Sequence, residues 1–147
     1  MDRTLVAALA TIVVGSLIAL QAPINSGLGR AVGTLPAAAI SFTIGTILLV
    51  GLVTVTGQLG NVSEAANVRW HYLIGGVLGA AYVTTVLLTV RTLGAGGVTA
   101  ATVAGQLSAS LVIDRIGVLG LEETPITPGR VIGVVLLFVG TILVIRT

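Results

Sequence analysis

Residues 4–29, TLVAALATIVVGSLIALQAPINSGLG, hold no Asp, Glu, Lys or Arg over 26 positions. An α-helix needs about 20 apolar residues to cross the hydrocarbon core of a bilayer. Four more windows lack these charges: residues 31–63, 70–90, 92–113 and 131–145, of 33, 21, 22 and 15 residues. The last window is short, but Arg130 and Arg146 at its borders can snorkel to the headgroups. The sequence therefore predicts five transmembrane helices.

The composition agrees with a membrane protein. The chain is 55% hydrophobic and only 8% charged, with a mean hydropathy of +1.13, which leaves too little polar surface for a water-soluble domain. The windows do not alternate in polarity as membrane β-barrel strands do. The chain has no cysteine, which excludes disulfides and thiol chemistry, and its seven arginines are scattered rather than clustered as in nucleic-acid-binding proteins. We expect an all-α membrane protein that does not bind nucleic acid.

The expected organisation is a single domain over residues 1–147. Its helices are predicted at about residues 4–31, 36–56, 70–92, 97–118 and 129–146. Gly33 and Pro36 mark the first turn, residues 57–68 form a polar loop, and glycine-rich residues 94–97 form a tight turn. The first apolar run is expected to be an uncleaved helix and not a secretory signal.

The arginines give almost no bias in orientation. On alternate sides of five crossings they divide into Arg3, Arg69, Arg115 and Arg130 against Arg30, Arg91 and Arg146. Such a balance favours insertion in both orientations, unless the first helix alone fixes one of them. Two copies could then pair about an axis in the membrane plane. The expected architecture is a ten-helix antiparallel homodimer with inverted repeats.

Two amides in the first predicted helix are the first candidate site residues. Gln21 and Asn25 are four residues apart and therefore lie on one helix face. Pro23 between them has no N–H and frees a backbone carbonyl one turn earlier. The pair is expected to contact substrate, and the alternative is structural hydrogen bonding between helices.

The fourth predicted helix has a polar residue at every fourth position: Thr102, Gln106, Ser110 and Asp114. A polar stripe of this kind is expected to line a cavity rather than to face lipid. We expect Gln106 and Ser110 to contact substrate. Asp114 is expected to anchor a gate or bind a coupling ion, with Arg115 or Arg130 as its partner.

The remaining candidates lie on the third and fifth predicted helices. Tyr82 could stack on an organic ligand or simply pack on a neighbouring helix. Arg91 could bind an anionic substrate or a lipid phosphate, or act at a gate, and the more ordinary alternative is snorkelling. Gly133 and Gly140, one heptad apart, are expected to form the dimer seam. No catalytic, metal-binding or cofactor motif is present, so we expect neither an enzyme nor a cofactor.

Four segments together resemble the YdcZ-like family of five-helix inner-membrane proteins: residues 21–30 (QAPINSGLGR), 41–46 (SFTIGT), 103–107 (VAGQL) and 113–120 (IDRIGVLG). That family is placed in the drug/metabolite transporter superfamily. The resemblance implies transport across the bacterial inner membrane, and the family pattern matches Gln21, Asn25, Gln106 and Asp114. Arg115 stands where histidine is common. The chain also lacks the first-helix glutamate of the similar small multidrug exporters, which disfavours their proton-coupled export of lipophilic cations.

Taken together, these features predict a secondary transporter that exports a small organic metabolite or drug-like molecule by alternating access. The expected substrate contacts are Gln21, Asn25, Tyr82, Gln106 and Ser110. Coupling or gating is assigned to Asp114, Arg91 and Arg115. The alternatives are a non-transporting scaffold or partner-dependent subunit, and, with no charge ring or filter sequence in its support, a passive channel.

Overall fold

All regular secondary structure in residues 2–118 and 121–146, which the computed structural model describes, is helical. The α-helices are α1 (Arg3–Val32), α2 (Thr34–Val55), α3 (Gly75–Ile116) and α4 (Pro128–Arg146). Short 3-10 helices cover Leu59–Asn67 and Trp70–Ile74. The expected all-α class is therefore confirmed.

The apolar side chains of these helices face outward, as a bilayer solvent requires. Val55 is 87% exposed, whereas Leu87, the largest fully buried side chain, is 1% exposed. Four stretches are long and apolar enough to cross a membrane: Arg3–Val32, Thr34–Val55, Trp70–Ile116 and Pro128–Arg146. Each can satisfy its backbone polar groups internally, which is what lipid demands of a spanning segment.

A single glycine ends α1 and begins α2. Gly33 has φ 93° and ψ 161°, a region that is accessible essentially only to glycine. Its N–H donates to the Gly29 carbonyl and its own carbonyl accepts from Ala37 N–H, both at 3.0 Å. α1 itself runs through Pro23 without losing helical assignment. The Ala19 carbonyl, four residues before this proline, lacks the usual helical donor.

The expected boundary between the third and fourth helices lies at Gly94. Of the anticipated turn at residues 94–97, only Gly94 departs from helical geometry, with φ 69° and ψ 169°, so that Gly75–Ile116 consists of two helical segments that meet at this residue. One residue outside the helical region is enough to break the regular hydrogen-bond ladder, so a four-residue turn is not needed. The span Trp70–Ile116 has 47 residues. At 1.5 Å per residue it would be about 70 Å long, more than twice the thickness of a hydrocarbon core. Five crossings thus stay a prediction.

Two other boundaries also differ from those expected. The predicted polar loop at residues 57–68 contains the 3-10 helix Leu59–Asn67, and α3 begins at Gly75, five residues after the expected start. The intervening residues form the 3-10 helix Trp70–Ile74, in which the His71 and Tyr72 rings lie 4.4 Å apart. Leu119 and Gly120, close to the predicted end of the fourth helix, lie outside the described residues.

The chain divides into two compact units, the first ending at Arg91 and the second beginning at Thr92. The core of the first unit consists of Ala37 and Ala38 of α2 with Val83 and Leu87 of α3, and Leu28 of α1 packs against it. Small residues at these contacts let helices approach closely. This packing places the C-terminal part of α1 beside both α2 and α3.

In the second unit, a hydrogen bond joins α3 to α4. Thr141 Oγ1 lies 3.1 Å from the Ala100 carbonyl and 2.8 Å from the Leu137 carbonyl of its own helix. Near the same place, a Cβ atom on Gly97 would lie 3.3 Å from Ile145 Cγ1. Glycine at 97 therefore allows the two helix backbones to approach.

Candidate functional site

Three of the predicted substrate contacts meet around one small cavity between α1 and α3. Gln21 and Asn25 of α1 and Tyr82 of α3 line it. Its other lining residues are apolar: Ile18, Ala22, Val83, Val86 and Leu87. The volume is ≈ 10 Å³, close to the space that one water molecule needs. The structure thus brings together two amides and a phenol in a space too small for an organic molecule.

Asn25 is the most deeply buried of these polar residues. Its side chain is 6% exposed, and within residues 2–118 and 121–146 it makes no hydrogen bond. An amide removed from water without a partner costs about 1–3 kcal/mol in protein mutational data. Among the described residues, no completely buried side-chain N or O atom lacks a partner, so the unpaired amide atoms of Asn25 are not completely buried. The Asn25 amide therefore retains access to the cavity and can bind a group that enters it.

A second, larger cleft lies between α1 and α2, with a volume of ≈ 220 Å³. It is lined by Gln21, Ser41, Phe42, Gly45, Thr46 and Leu49. Gln21 lines both the small cavity and this cleft. The Gln21 amide can therefore contact a molecule in either space.

The hydroxyls of this cleft differ from those of Thr43 and Thr54 in the same helix. Thr43 and Thr54 each donate to the carbonyl four residues earlier, at 2.8 Å. Such back-bonding satisfies a hydroxyl inside an apolar helix. Ser41 and Thr46 make no such bond, nor any other hydrogen bond to the described residues. Their hydroxyls are available to a molecule in the cleft.

Sequence reasoning missed Ser41 and Thr46 as site residues. Part of the signal was present, because Ser41 and Gly45 are four residues apart and lie on one helix face, whereas Thr46 does not share that face with Ser41. It was not sufficient, because Thr43 and Thr54 occur in the same helix and have no such role. Only the three-dimensional contacts separate hydroxyls that bond their own backbone from hydroxyls that line a cavity.

No charged residue lines either space among the described residues. An ionised group without a partner in such surroundings would pay a large desolvation penalty. The amides and hydroxyls can instead both donate and accept hydrogen bonds. The arrangement favours an uncharged ligand.

Arg91, a predicted gating residue, lies against the end of α1. Its Nη2 is 3.3 Å from where a Cβ atom on buried Gly29 would be. Leu87 Cδ2 and Ala37 Cβ are each 3.7 Å from that point. Any side chain at residue 29 would therefore displace the guanidinium. Within the described residues, Arg91 forms no ion pair.

The remaining predicted residues of the stripe belong to the second unit. Gln106 is exposed, and Ser110 is half-buried with its hydroxyl 2.9 Å from the Leu107 carbonyl. Of the two partners considered for Asp114, the structure selects Arg130, with Nη1 and Oδ2 3.4 Å apart. Arg115 instead pairs with Glu123 at 3.7 Å, on an exposed surface where such pairs contribute little.

The two predicted dimer glycines line an apolar groove within the second unit. Gly133 and Gly140 border a space of ≈ 430 Å³. No atom lies within 4 Å of the position that a Cβ atom would take at either glycine. Their backbones are therefore open to another surface. Separately, the described residues include no group of three or more His, Asp or Glu side chains that could hold a metal ion.

These features define the class of the protein: a multi-pass helical membrane protein with an uncharged polar site inside its spans. Over residues 6–143 the chain matches the family described as "putative inner membrane exporter, YdcZ", and it belongs to that family. Comparison with curated proteins and with solved structures gave no match. The predicted family and the multi-pass inner-membrane location are thus confirmed, and the family is one of exporters rather than enzymes.

Proposed function

We propose that this protein is a secondary transporter that exports a small, uncharged organic molecule by alternating access. The observation that carries the proposal is the group of unpaired polar side chains around two spaces that are both lined by Gln21, in otherwise apolar helices. Polar groups inside membrane spans are costly and usually mark a transport pathway. Membership in a family of exporters supports the same function.

In this proposal Gln21, Asn25 and Tyr82 bind the substrate in the first unit. The cavity that they line holds about one water molecule, so binding an organic molecule requires α1 and α3 to move apart. Pro23 weakens the hydrogen-bond ladder of α1 next to the cavity and is a suitable hinge for that motion. Gln106 and Ser110, which belong to the second unit, stay predicted substrate contacts.

Gating is assigned to Arg91, Arg115 and Asp114. Arg91 lies against α1 one turn after Asn25, so a shift of α1 would move its guanidinium. The Asp114–Arg130 pair joins α3 to α4, and its rupture would release one helix end from the other. Arg115 can exchange its exposed partner Glu123 at little cost.

We further propose that the transporter is an antiparallel homodimer. The almost balanced arginines support insertion in two orientations. The open groove at Gly133 and Gly140 offers a surface on which a helix of the second copy can pack closely. Two inverted copies would supply the symmetry that alternating access uses in larger transporters.

The test compares export by cells that carry the wild-type protein, Gln21→Leu or Gln58→Leu. Gln58 is an exposed amide outside the α-helices and serves as the matched control. Mass spectrometry of the medium should reveal uncharged compounds that accumulate with wild type and with Gln58→Leu. Their rate of export should fall about tenfold with Gln21→Leu, which corresponds to the loss of one or two hydrogen bonds.

Membrane levels of each variant are measured by immunoblot, so that a folding defect is recognised. Unchanged export by correctly inserted Gln21→Leu would contradict the proposed site. A medium whose composition does not depend on the protein at all would contradict the transport function itself.

A further inference from the structure

The cleft between α1 and α2 lies at the middle of its span. α2 has 22 residues, so it is about 33 Å long at 1.5 Å per residue. Gly45, which lines the cleft, is eleven positions after Thr34, at about 17 Å along the helix. A span of this length just covers the hydrocarbon core. The cleft is therefore at the depth of the acyl chains and not at that of the headgroups.

The cleft is bordered by a surface that faces hydrocarbon. Ile44 and Leu48 beside it are 63% and 65% exposed, as lipid-facing residues of a membrane helix are. A Cβ atom on Gly45 would meet no atom within 4 Å, so the glycine leaves the cleft open. A molecule dissolved in the bilayer could reach it without crossing a polar barrier.

The walls of the cleft combine two kinds of chemistry. Gln21, Ser41 and Thr46 supply an amide and two hydroxyls that have no partner in the described chain. Phe42 and Leu49 supply an apolar wall, and the Phe42 ring lies against α3, with Cζ 3.4 Å from the point that a Cβ atom on Gly79 would occupy. The volume of ≈ 220 Å³ suits a small molecule with one fused ring system.

We propose that this cleft is a lateral access site, which takes uncharged amphipathic molecules from the bilayer and passes them to the inner cavity. Gln21 lines both spaces and can hydrogen-bond the polar end of the molecule throughout this step. The molecule has an apolar ring system for the Phe42 wall and one or two neutral hydrogen-bonding groups for the hydroxyls. This inference rests on the proposed transport function and adds the substrate class and its route.

The experiment measures binding of dansyl amide, an uncharged naphthalene sulfonamide, to protein in phosphatidylcholine nanodiscs. Trp70→Phe removes the single tryptophan, and Ile44→Trp places an energy-transfer donor on the exposed surface beside the cleft without changing a lining residue. We expect saturable energy transfer to the probe. Adding Gly45→Leu should weaken binding about tenfold, or about 1.4 kcal/mol, by filling the cleft.

Two matched controls accompany this series. Gly51→Leu makes the same change in α2, also where no atom lies within 4 Å, but away from the cleft, and should leave binding unchanged. Dansyl glycine carries the same fluorophore with a carboxylate and should bind about tenfold more weakly, because its charge would be unpaired. Thr46→Val removes one cleft hydroxyl without adding bulk and should reduce the affinity for dansyl amide. Thr43→Val, which removes a hydroxyl outside the cleft, should not.

A signal that rises linearly with probe concentration and ignores both Gly45→Leu and Thr46→Val would overturn the access site. Export that depends on Gln21 but not on Gly45 would likewise refute it and leave the transport function standing. Saturable, Gly45-dependent binding without any export by wild type would instead refute transport and leave the binding site standing.

Discussion

The surroundings of the Asn25 side chain help to distinguish a role in ligand binding from a role in hydrogen bonding between helices. This side chain is 6% exposed, and it has no hydrogen-bond partner in residues 2–118 and 121–146. A structural amide would be expected to bond a neighbouring helix, as Thr141 bonds the Ala100 carbonyl. The unpaired amide lowers the free energy of unfolding and remains ready to bind a ligand. Such a conflict between stability and local chemistry is typical of functional residues.

Replacement of Asn25 by leucine, which has nearly the same shape, tests this interpretation. Asn25→Leu should raise the free energy of unfolding by about 1 kcal/mol, because it removes an unpaired buried amide. The melting temperature in detergent should rise by about 2–4 °C for a chain of this length, while export is lost. Asn61→Leu, in an exposed 3-10 helix, is the control and should change neither property.

A fall in the melting temperature of Asn25→Leu would show that the amide stabilises the helix packing. The alternative of structural hydrogen bonding between helices would then be correct for this residue.

Individual site residues could be predicted from the sequence to different extents. Gln21 and Asn25 were found because amides are rare inside apolar spans and their spacing puts them on one face. Tyr82 was expected at the same site, and the structure places it at their cavity. Ser41 and Thr46 could not be found, because a hydroxyl in a membrane helix can satisfy itself on its own backbone.

At the scale of the helices, Gly94 determines where the regular helical conformation of α3 is interrupted. Gly94 has φ 69° and ψ 169°, in the region where a Cβ atom clashes with the backbone. Gly96, two residues later, is helical, and a Cβ atom there would meet only Val144 Cγ1 at an ordinary 3.7 Å. The two positions look alike in the sequence and differ only in their backbone conformation.

Alanine substitution should therefore separate Gly94 from Gly96. Gly94→Ala should lower the free energy of unfolding by about 1–3 kcal/mol through backbone strain. Gly96→Ala should be neutral or slightly stabilising, because alanine is the better helix former by up to about 1 kcal/mol. Thermal melting of both variants in detergent measures the difference. Equal melting temperatures would mean that Gly94 is not held in this conformation in the membrane protein.

For the protein as a whole, the open question is its orientation in the membrane. The near balance of arginines predicts that both orientations occur, which the proposed antiparallel homodimer requires. The groove at Gly133 and Gly140 supports pairing but does not fix its direction. The orientation must be measured in intact cells.

Cysteine labelling can measure it, because the natural chain has no cysteine. Gly60→Cys places a thiol in an exposed 3-10 helix with no atom within 4 Å of its Cβ position. A charged, membrane-impermeant thiol reagent should label part of the protein from outside intact cells and the rest only after lysis. A second thiol added at the C-terminus should show the same division.

Labelling from one side alone, at both positions, would exclude the antiparallel homodimer. It would favour the alternative of a subunit that works beside a different partner chain.

The sequence alone was enough to establish a helical membrane protein, because long uncharged windows have few other solutions in lipid. The resemblance of four short segments predicted the family. The sequence also identified the amides of α1, since polarity inside such a window is conspicuous. The tertiary structure decided which polar groups remain unpaired and which arginine pairs with Asp114. It also decided that Gln21 lines both the small cavity and the cleft. These properties depend on contacts between helices. Hydropathy is a property of individual residues and therefore cannot predict which helices touch.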